Sequence, residues 1–229
     1  MNLPHAANPF IFVTHINLVE LTGLKARNLP ELLKILKTAP GAMIYHHTHH
    51  FLKQHQALSP EPPNDFSYWV TAVLNDDSLG EQLASIDTIQ FTSLFALRDR
   101  LVQVLERYVA KGKTLYTVPE EEAFYFMKSL SFILPTPYQA GDLAEFVEAI
   151  RKISAHSLYH HIFEARLRLE KGTNDFSSWL DKELGEKDLA RAIARLDPYT
   201  QTLESLRNQI LRLVMTRLQT YSLEEPVRA

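Results

Sequence analysis

His46 and His50 stand four residues apart in this chain, and so do His160 and Glu164. On a helix that spacing brings two side chains to one face a turn apart. There an imidazole pair, or an imidazole with a carboxylate, can chelate a divalent transition metal. If the two segments faced each other across an internal twofold axis, four ligands would converge from two helices, loosely as in carboxylate and histidine sites of helical bundles. Any polar helix face shows the same spacing, however, and His46 and His160 fall away from the apolar stripe of their own segments. The plainer expectation is therefore a solvated face or a docking surface. His47 and His161 flank that stripe, where a half-buried imidazole would donate to a carboxylate such as Asp87 or Asp197. With no nucleophile or oxyanion motif beside them, no residue is assigned a catalytic role. Arg98 and Arg207 each follow a core leucine and are expected either to reach inward to a carboxylate or to build an anion site, since a guanidinium matches carboxylate or phosphate.

These residues come in pairs because the chain repeats itself. Ile44-Tyr45-His46-His47 returns as Leu158-Tyr159-His160-His161, 114 residues later. The same step carries Phe10 to Phe124, Phe12 to Phe126, Leu29 to Leu143 and Glu31 to Glu145. Asn64-Asp65-Phe66-Ser67 with Trp69 returns as Asn174-Asp175-Phe176-Ser177 with Trp179, now 110 residues on. The difference falls between the Pro-rich Ser59-Pro60-Glu61-Pro62-Pro63 and the shorter Lys171-Gly172-Thr173, and loops absorb such length changes cheaply. Self-similarity at a fixed period marks repeated supersecondary units. The expected units are residues 9–113 and 114–222.

The elements that must position the histidines are mainly helical. Alternating Phe10 and Phe12 suggest one or two short strands over 9–27 ending in a turn at Gly23. The matching Phe124-Tyr125-Phe126 and Ser131-Phe132-Ile133-Leu134 would stop at Pro135-Thr136-Pro137. Asn28-Leu29-Pro30-Glu31 and Gly141-Asp142-Leu143 read as helix starts. They lead into Leu29, Leu32, Leu33, Leu36 and Leu143, Phe146, Val147, Ile150 at helical spacing. The Tyr-His-His segments read as second helices. Asp65 and Asp175 are expected to cap the next ones, and Asp87-Thr88 and Asp197-Pro198 to open the last and longest. Trp69, Trp179, Phe66 and Phe176 are expected as core anchors. The fold class is thus mainly α, or α+β with short N-terminal strands in each unit, as two tandem pseudo-symmetric helical repeats packed together.

Composition narrows the function. Among 229 residues, 24 Lys and Arg face 27 Asp and Glu, a formal net charge of −3, so no broad basic field suited to nucleic acid is expected. The lack of cysteine excludes disulfides, thiolate zinc sites and a cysteine nucleophile. No apolar run approaches the roughly 20 residues of a membrane helix, and a cytoplasmic, soluble protein is expected. Phosphate-loop, dinucleotide-binding, nucleophile-elbow and zincin patterns are missing.

Phe124-Tyr125-Phe126, Leu134-Pro135-Thr136, Ser157-Leu158-Tyr159-His160-His161, Phe163-Glu164-Ala165-Arg166-Leu167, Asn174-Asp175-Phe176-Ser177 and Leu196-Asp197-Pro198-Tyr199 together resemble an uncharacterised family of bacterial and archaeal proteins, catalogued as a domain of unknown function. The resemblance covers nearly the whole chain and implies no particular activity, cofactor or catalytic residue. Pro137 stands where that pattern leads one to expect glycine.

The function expected from these residues is a non-catalytic binding or regulatory module. Its matched surfaces of Tyr45, His46, His47, Tyr159, His160 and His161 would meet a protein or small-molecule partner. The alternative is a metal-binding protein or metal-dependent enzyme using His46, His50, His160 and Glu164.

Overall fold

A computed structural model describes residues 3–50, 64–91, 93–112, 116–165, 173–196 and 202–224. Its contacts divide the chain into two compact units, and the division differs from 9–113 and 114–222. A central unit comprises Asn17–Ser131, and a split unit joins Met1–Ile16 to Phe132–Ala229. The chain passes between them inside its two strands, β1 (Phe10–Ala26) and β2 (Phe124–Ala140), which pair as one antiparallel two-stranded sheet. Phe10 and Phe12 explain the difference. They pack with Phe146, Phe176 and Trp179 in the core of the split unit, so the first strand segment belongs to the helices encoded furthest from it.

Each strand is 17 residues long, not the short pair ending in turns that the sequence suggests. One register runs throughout. In the split unit the Thr136 hydroxyl donates to the Phe12 carbonyl at 2.6 Å. In the central unit Thr22 donates likewise to Phe126, Lys128 pairs with Glu20 at 3.0 Å, and Ser131 donates to Asn17 at 2.6 Å. Pro135 and Pro137 do not end β2. The register sets Pro135 opposite Val13, whose N–H points away from the ladder and donates to a histidine instead. Residues of that parity need no ladder donor, so a proline there removes nothing. In β1, Gly23 adopts a φ of 75° without ending the strand; only glycine takes that conformation at no steric cost.

The central unit continues with α1 (Leu29–Leu36), α2 (Gly41–Tyr45), a π-helical turn (His46–His50), α3 (Asp65–Ala72), α4 (Asp77–Ala84), a 3₁₀ turn (Thr88–Gln90) and α5 (Leu94–Val109). Asn28 accepts from the Glu31 N–H at 2.9 Å while Glu31 accepts from the Arg27 N–H at 2.8 Å, a reciprocal cap. Leu29, Leu32, Leu33 and Leu36 are all buried, as their spacing predicts. Two helix starts differ from expectation. Asn64, not Asp65, caps α3, which leaves the Asp65 carboxylate available to the site below. Asp87 leads only into the 3₁₀ turn, and α5 begins later under a Ser93 cap.

In the split unit α6 (Leu143–Lys152) follows β2 under an Asp142 cap. Then come α7 (Ala155–Tyr159), a second π-helical turn (His160–Glu164), α8 (Asp175–Lys182), α9 (Lys187–Ala194) and α10 (Leu203–Glu224). Asn174 caps α8 in place of the expected Asp175. The Asp197-Pro198 helix start and the Ser59–Pro63 loop lie outside the described residues. Phe12, Phe146, Phe176, Leu206 and Ile210 are fully buried here, as are Phe66, Phe126, Leu97 and Leu32 in the central unit. Trp69 donates to the Glu122 carbonyl at 2.8 Å and Trp179 to that of Asn8 at 3.0 Å, so both indoles anchor a core and satisfy their one donor. Among the described residues no helix is long and apolar enough to cross a membrane.

Candidate functional site

The Tyr-His-His segments do not form an exposed face. His46 and His160 are 6% and 2% exposed, and Tyr45 and Tyr159 are buried with them. This corrects the expectation of a polar surface for Tyr45, His46, Tyr159 and His160. The cause is local: each segment passes from α-helix into a π-helical turn at the first histidine. A wider turn changes which side chains face inward, so a projection at 100° per residue no longer holds. Tyr45 stacks on His49 and Tyr159 on Phe163, with ring centroids 5.5 Å and 4.5 Å apart. The tyrosines are thereby committed to packing.

His47 and His161 have both ring nitrogens engaged. His47 Nε2 accepts from the Met127 backbone N–H at 3.0 Å, and its Nδ1 meets Asp65 Oδ2 at 2.7 Å. His161 Nε2 accepts from the Val13 N–H at 3.0 Å, and its Nδ1 meets Asp175 Oδ2 at 2.8 Å. An acceptor at Nε2 must be unprotonated, so the proton sits on Nδ1 and is donated to the aspartate. The predicted carboxylate partner is real, but it is Asp65 and Asp175 rather than Asp87 and Asp197. Each histidine joins a strand backbone to the start of a helix. Its lone pair is spent, which removes it as a metal ligand or general base. Two clusters of ligand-type atoms, His46 with His47 and Asp65, and His160 with His161 and Asp175, are discounted on the same ground.

A third cluster includes neither His47 nor His161. In the split unit His15, His160 and Glu164 bring ligand atoms within 4.8 Å of one another. His160 Nδ1 lies 2.8 Å from Glu164 Oε2, and His15 Nε2 lies 3.4 Å from Glu164 Oε1. The His15 side chain is fully buried and that of Glu164 only 12% exposed. The second π-helical turn places His160 and Glu164, and β1 supplies His15. Of the four ligands suggested by sequence, His160 and Glu164 come together. His46 instead bonds Ser129 Oγ at 2.9 Å, and the side chain of His50 lies outside the described residues. Sequence reasoning missed His15. It sits on a strand, and the residue 114 positions on is Ser129, so comparing the repeats gives no match there.

The arginines serve helix ends. Arg207 is buried, donates to the carbonyls of Ile150 and Ile153 at the end of α6, the latter at 2.9 Å, and pairs with Glu204 at 3.0 Å. Arg98 reaches the Ala39 carbonyl at 3.4 Å, pairs with Asp99 at 2.9 Å and lies over the Phe95 ring. Donors turned to carbonyls and acids are occupied, so neither arginine builds the suggested anion site. Two surface depressions of the split unit involve none of the histidines: one along α10 (Thr202, Ser205, Asn208, Met215), another between α8 and α9 (Ser177, Lys182, Lys187, Arg191).

A mainly helical α+β protein carrying buried His-carboxylate groups in each of two compact units is the class that fold and site define. Residues 7–215 match the model of a family of unknown function, DUF5752, and the chain belongs to that family. It is also similar to OrfY from Thermoproteus tenax, a solved structure 30% identical in sequence with a TM-score of 0.77, the match covering 93% of this chain and 96% of that one. No curated protein matches it.

Proposed function

We propose that this protein is an internally duplicated, non-catalytic metal-binding module whose split unit holds one divalent transition metal through His15, His160 and Glu164. The observation that carries the reading is the convergence of two buried imidazoles on a partly buried carboxylate with ligand atoms within 4.8 Å. Two imidazoles with a carboxylate suit zinc, iron or manganese. Ligands around a tetrahedral ion at roughly 2.1 Å stand about 3.4 Å apart. The His15 to Glu164 separation already has that value, and the His160 to Glu164 hydrogen bond would open slightly to admit the ion. Three protein ligands leave the fourth position of a tetrahedral ion to water or a further donor, and the lack of a nucleophile or oxyanion motif in the sequence supports a regulatory over a catalytic role. Duplication is supported by the repeat in sequence and by the recurrence, in each unit, of a histidine joining strand backbone to the aspartate after a helix cap. On this reading the copies have diverged, with Ser129 replacing a ligand in the central unit.

The test uses untagged, chelator-stripped protein titrated with Zn²⁺ by calorimetry and with Co²⁺ by visible absorption. One equivalent per chain and a raised thermal midpoint are expected. His15→Ser, His160→Ala and Glu164→Gln should each weaken binding more than about tenfold, and His46→Ala should leave it unchanged. Failure of either metal to bind stoichiometrically, or binding indifferent to all three changes, overturns the proposal.

A further inference from the structure

The two strands manage their outer edges differently. Residues of the parity of Val13 and Met127 turn their backbone N–H groups away from the ladder, since Val13 and Met127 donate to His161 and His47 instead. On β2 that parity also carries Pro135 and Pro137, which offer no donor and so blunt its edge. On β1 the residues 114 positions earlier are Leu21 and Gly23, and the same parity takes in Asn17, Val19 and Leu21. The β1 edge from Asn17 to Leu21 lies within the central unit. It carries no proline, and among the described residues nothing accepts from or donates to its outward backbone groups. The side chains are as unusual as the edge. Leu21 is 72% exposed, and Leu18 and Val19 are about half exposed. A two-stranded ribbon with bare apolar residues on both faces is marginal in water and is the form of edge that another strand extends.

We propose that this edge is an interface between copies of the chain, with Asn17–Leu21 of one molecule pairing antiparallel on Asn17–Leu21 of the next, centred on Val19. Charge argues for this occupant. The only ionised side chain in the segment, Glu20, is already neutralised by Lys128 at 3.0 Å, so the edge offers nothing to a charged peptide or a polyanion. Centring on Val19 sets Asn17 opposite Leu21 and Glu20 opposite Leu18 of the second copy, so that no like charges stand directly opposite one another. Glu20 of one copy is thus diagonal to Glu20 of the other and not directly opposite it, and the Val19 residues can exchange both backbone bonds about a twofold axis, the self-complementary contact that a symmetric dimer requires.

Sedimentation velocity of the full chain over a wide concentration range tests this. A concentration-dependent dimer is expected, with amide exchange at Val19 and Leu21 slowing as the dimer fills. Leu21→Lys and Leu21→Pro should each weaken association at least tenfold. The proline removes an outward donor in the manner that β2 already tolerates, and circular dichroism checks that both variants keep the wild-type helix content. Protein that stays monomeric throughout the range overturns the proposal, because a heterologous strand would then be the occupant. So does a Leu21→Pro variant that is folded and still dimerises, because docking would then use a face of the ribbon and not its edge.

Discussion

At the scale of single residues, the two histidines with spent lone pairs are the clearest case of side-chain type and position fixing a role. His161 accepts from a strand amide and donates to Asp175, which forces one tautomer. Nitrogen-15 NMR of the imidazoles should show Nδ1 protonated and Nε2 bare in both His47 and His161. Asp175→Ala strands the Nδ1 proton in a largely buried place and should cost about 1–3 kcal/mol, read as a lowered urea midpoint; an unchanged midpoint would mean that water replaces the carboxylate at no cost. The pairing of these histidines with acids was legible from type alone, and Asp65 and Asp175 stood out in the sequence as members of the repeat. What hid the match was their expected service as helix caps, a service that Asn64 and Asn174 perform. His15 was illegible for another reason. Its partners lie far along the chain, and the residue 114 positions on is a serine, so comparing the similar stretches gives no match.

At the scale of elements, capping and apolar spacing in the sequence located α1 and α6 through Asn28 and Asp142, and the buried apolar residues of both helices fall where helical spacing puts them. The π-helical turns could not be read in the same way, because a projection at fixed angle presumes the backbone it sets out to find. The prolines of β2 misled likewise: they signal a stop unless the strand has a bare edge to turn them to. One tie between helices has a pH dependence. Asp76 caps α4 and accepts a hydrogen bond from the Tyr108 hydroxyl on α5. That bond, with burial and the neighbouring charge of Asp76, pushes the Tyr108 phenol up to about 12 from 10.0. A group whose folded value is raised stabilises fully below its unfolded value and loses that contribution as pH climbs to the folded one. Denaturant midpoints should therefore fall between about pH 10 and about pH 12, and Tyr108→Phe should lose less over that window than the wild type. An equal fall in both would assign the effect to other groups.

At the scale of the whole molecule, the similar stretches of sequence are followed by the same order of elements, but the compact units divide within the strands and not at 9–113 and 114–222, because compactness follows contacts. Phe10 and Phe12 resemble Phe124 and Phe126, yet each pair fills the core of helices encoded elsewhere in the chain. A fragment spanning residues 17–131 should consequently fold on its own, with cooperative melting and dispersed amide resonances, whereas 9–113 should not, since it lacks Phe124 and Phe126 from the central core. If 9–113 folds as well as 17–131, the strand assignment is at fault. The same division has a consequence for synthesis on the ribosome. Phe10 and Phe12 are made more than 160 residues before Phe176 and Trp179, on which their burial depends, so the first segment of β1 must stay unburied while that stretch is translated. Nascent chains of this protein would present those aromatic side chains to chaperones and proteases until α8 emerges, and contacts of such long range make the closing step of folding a slow one.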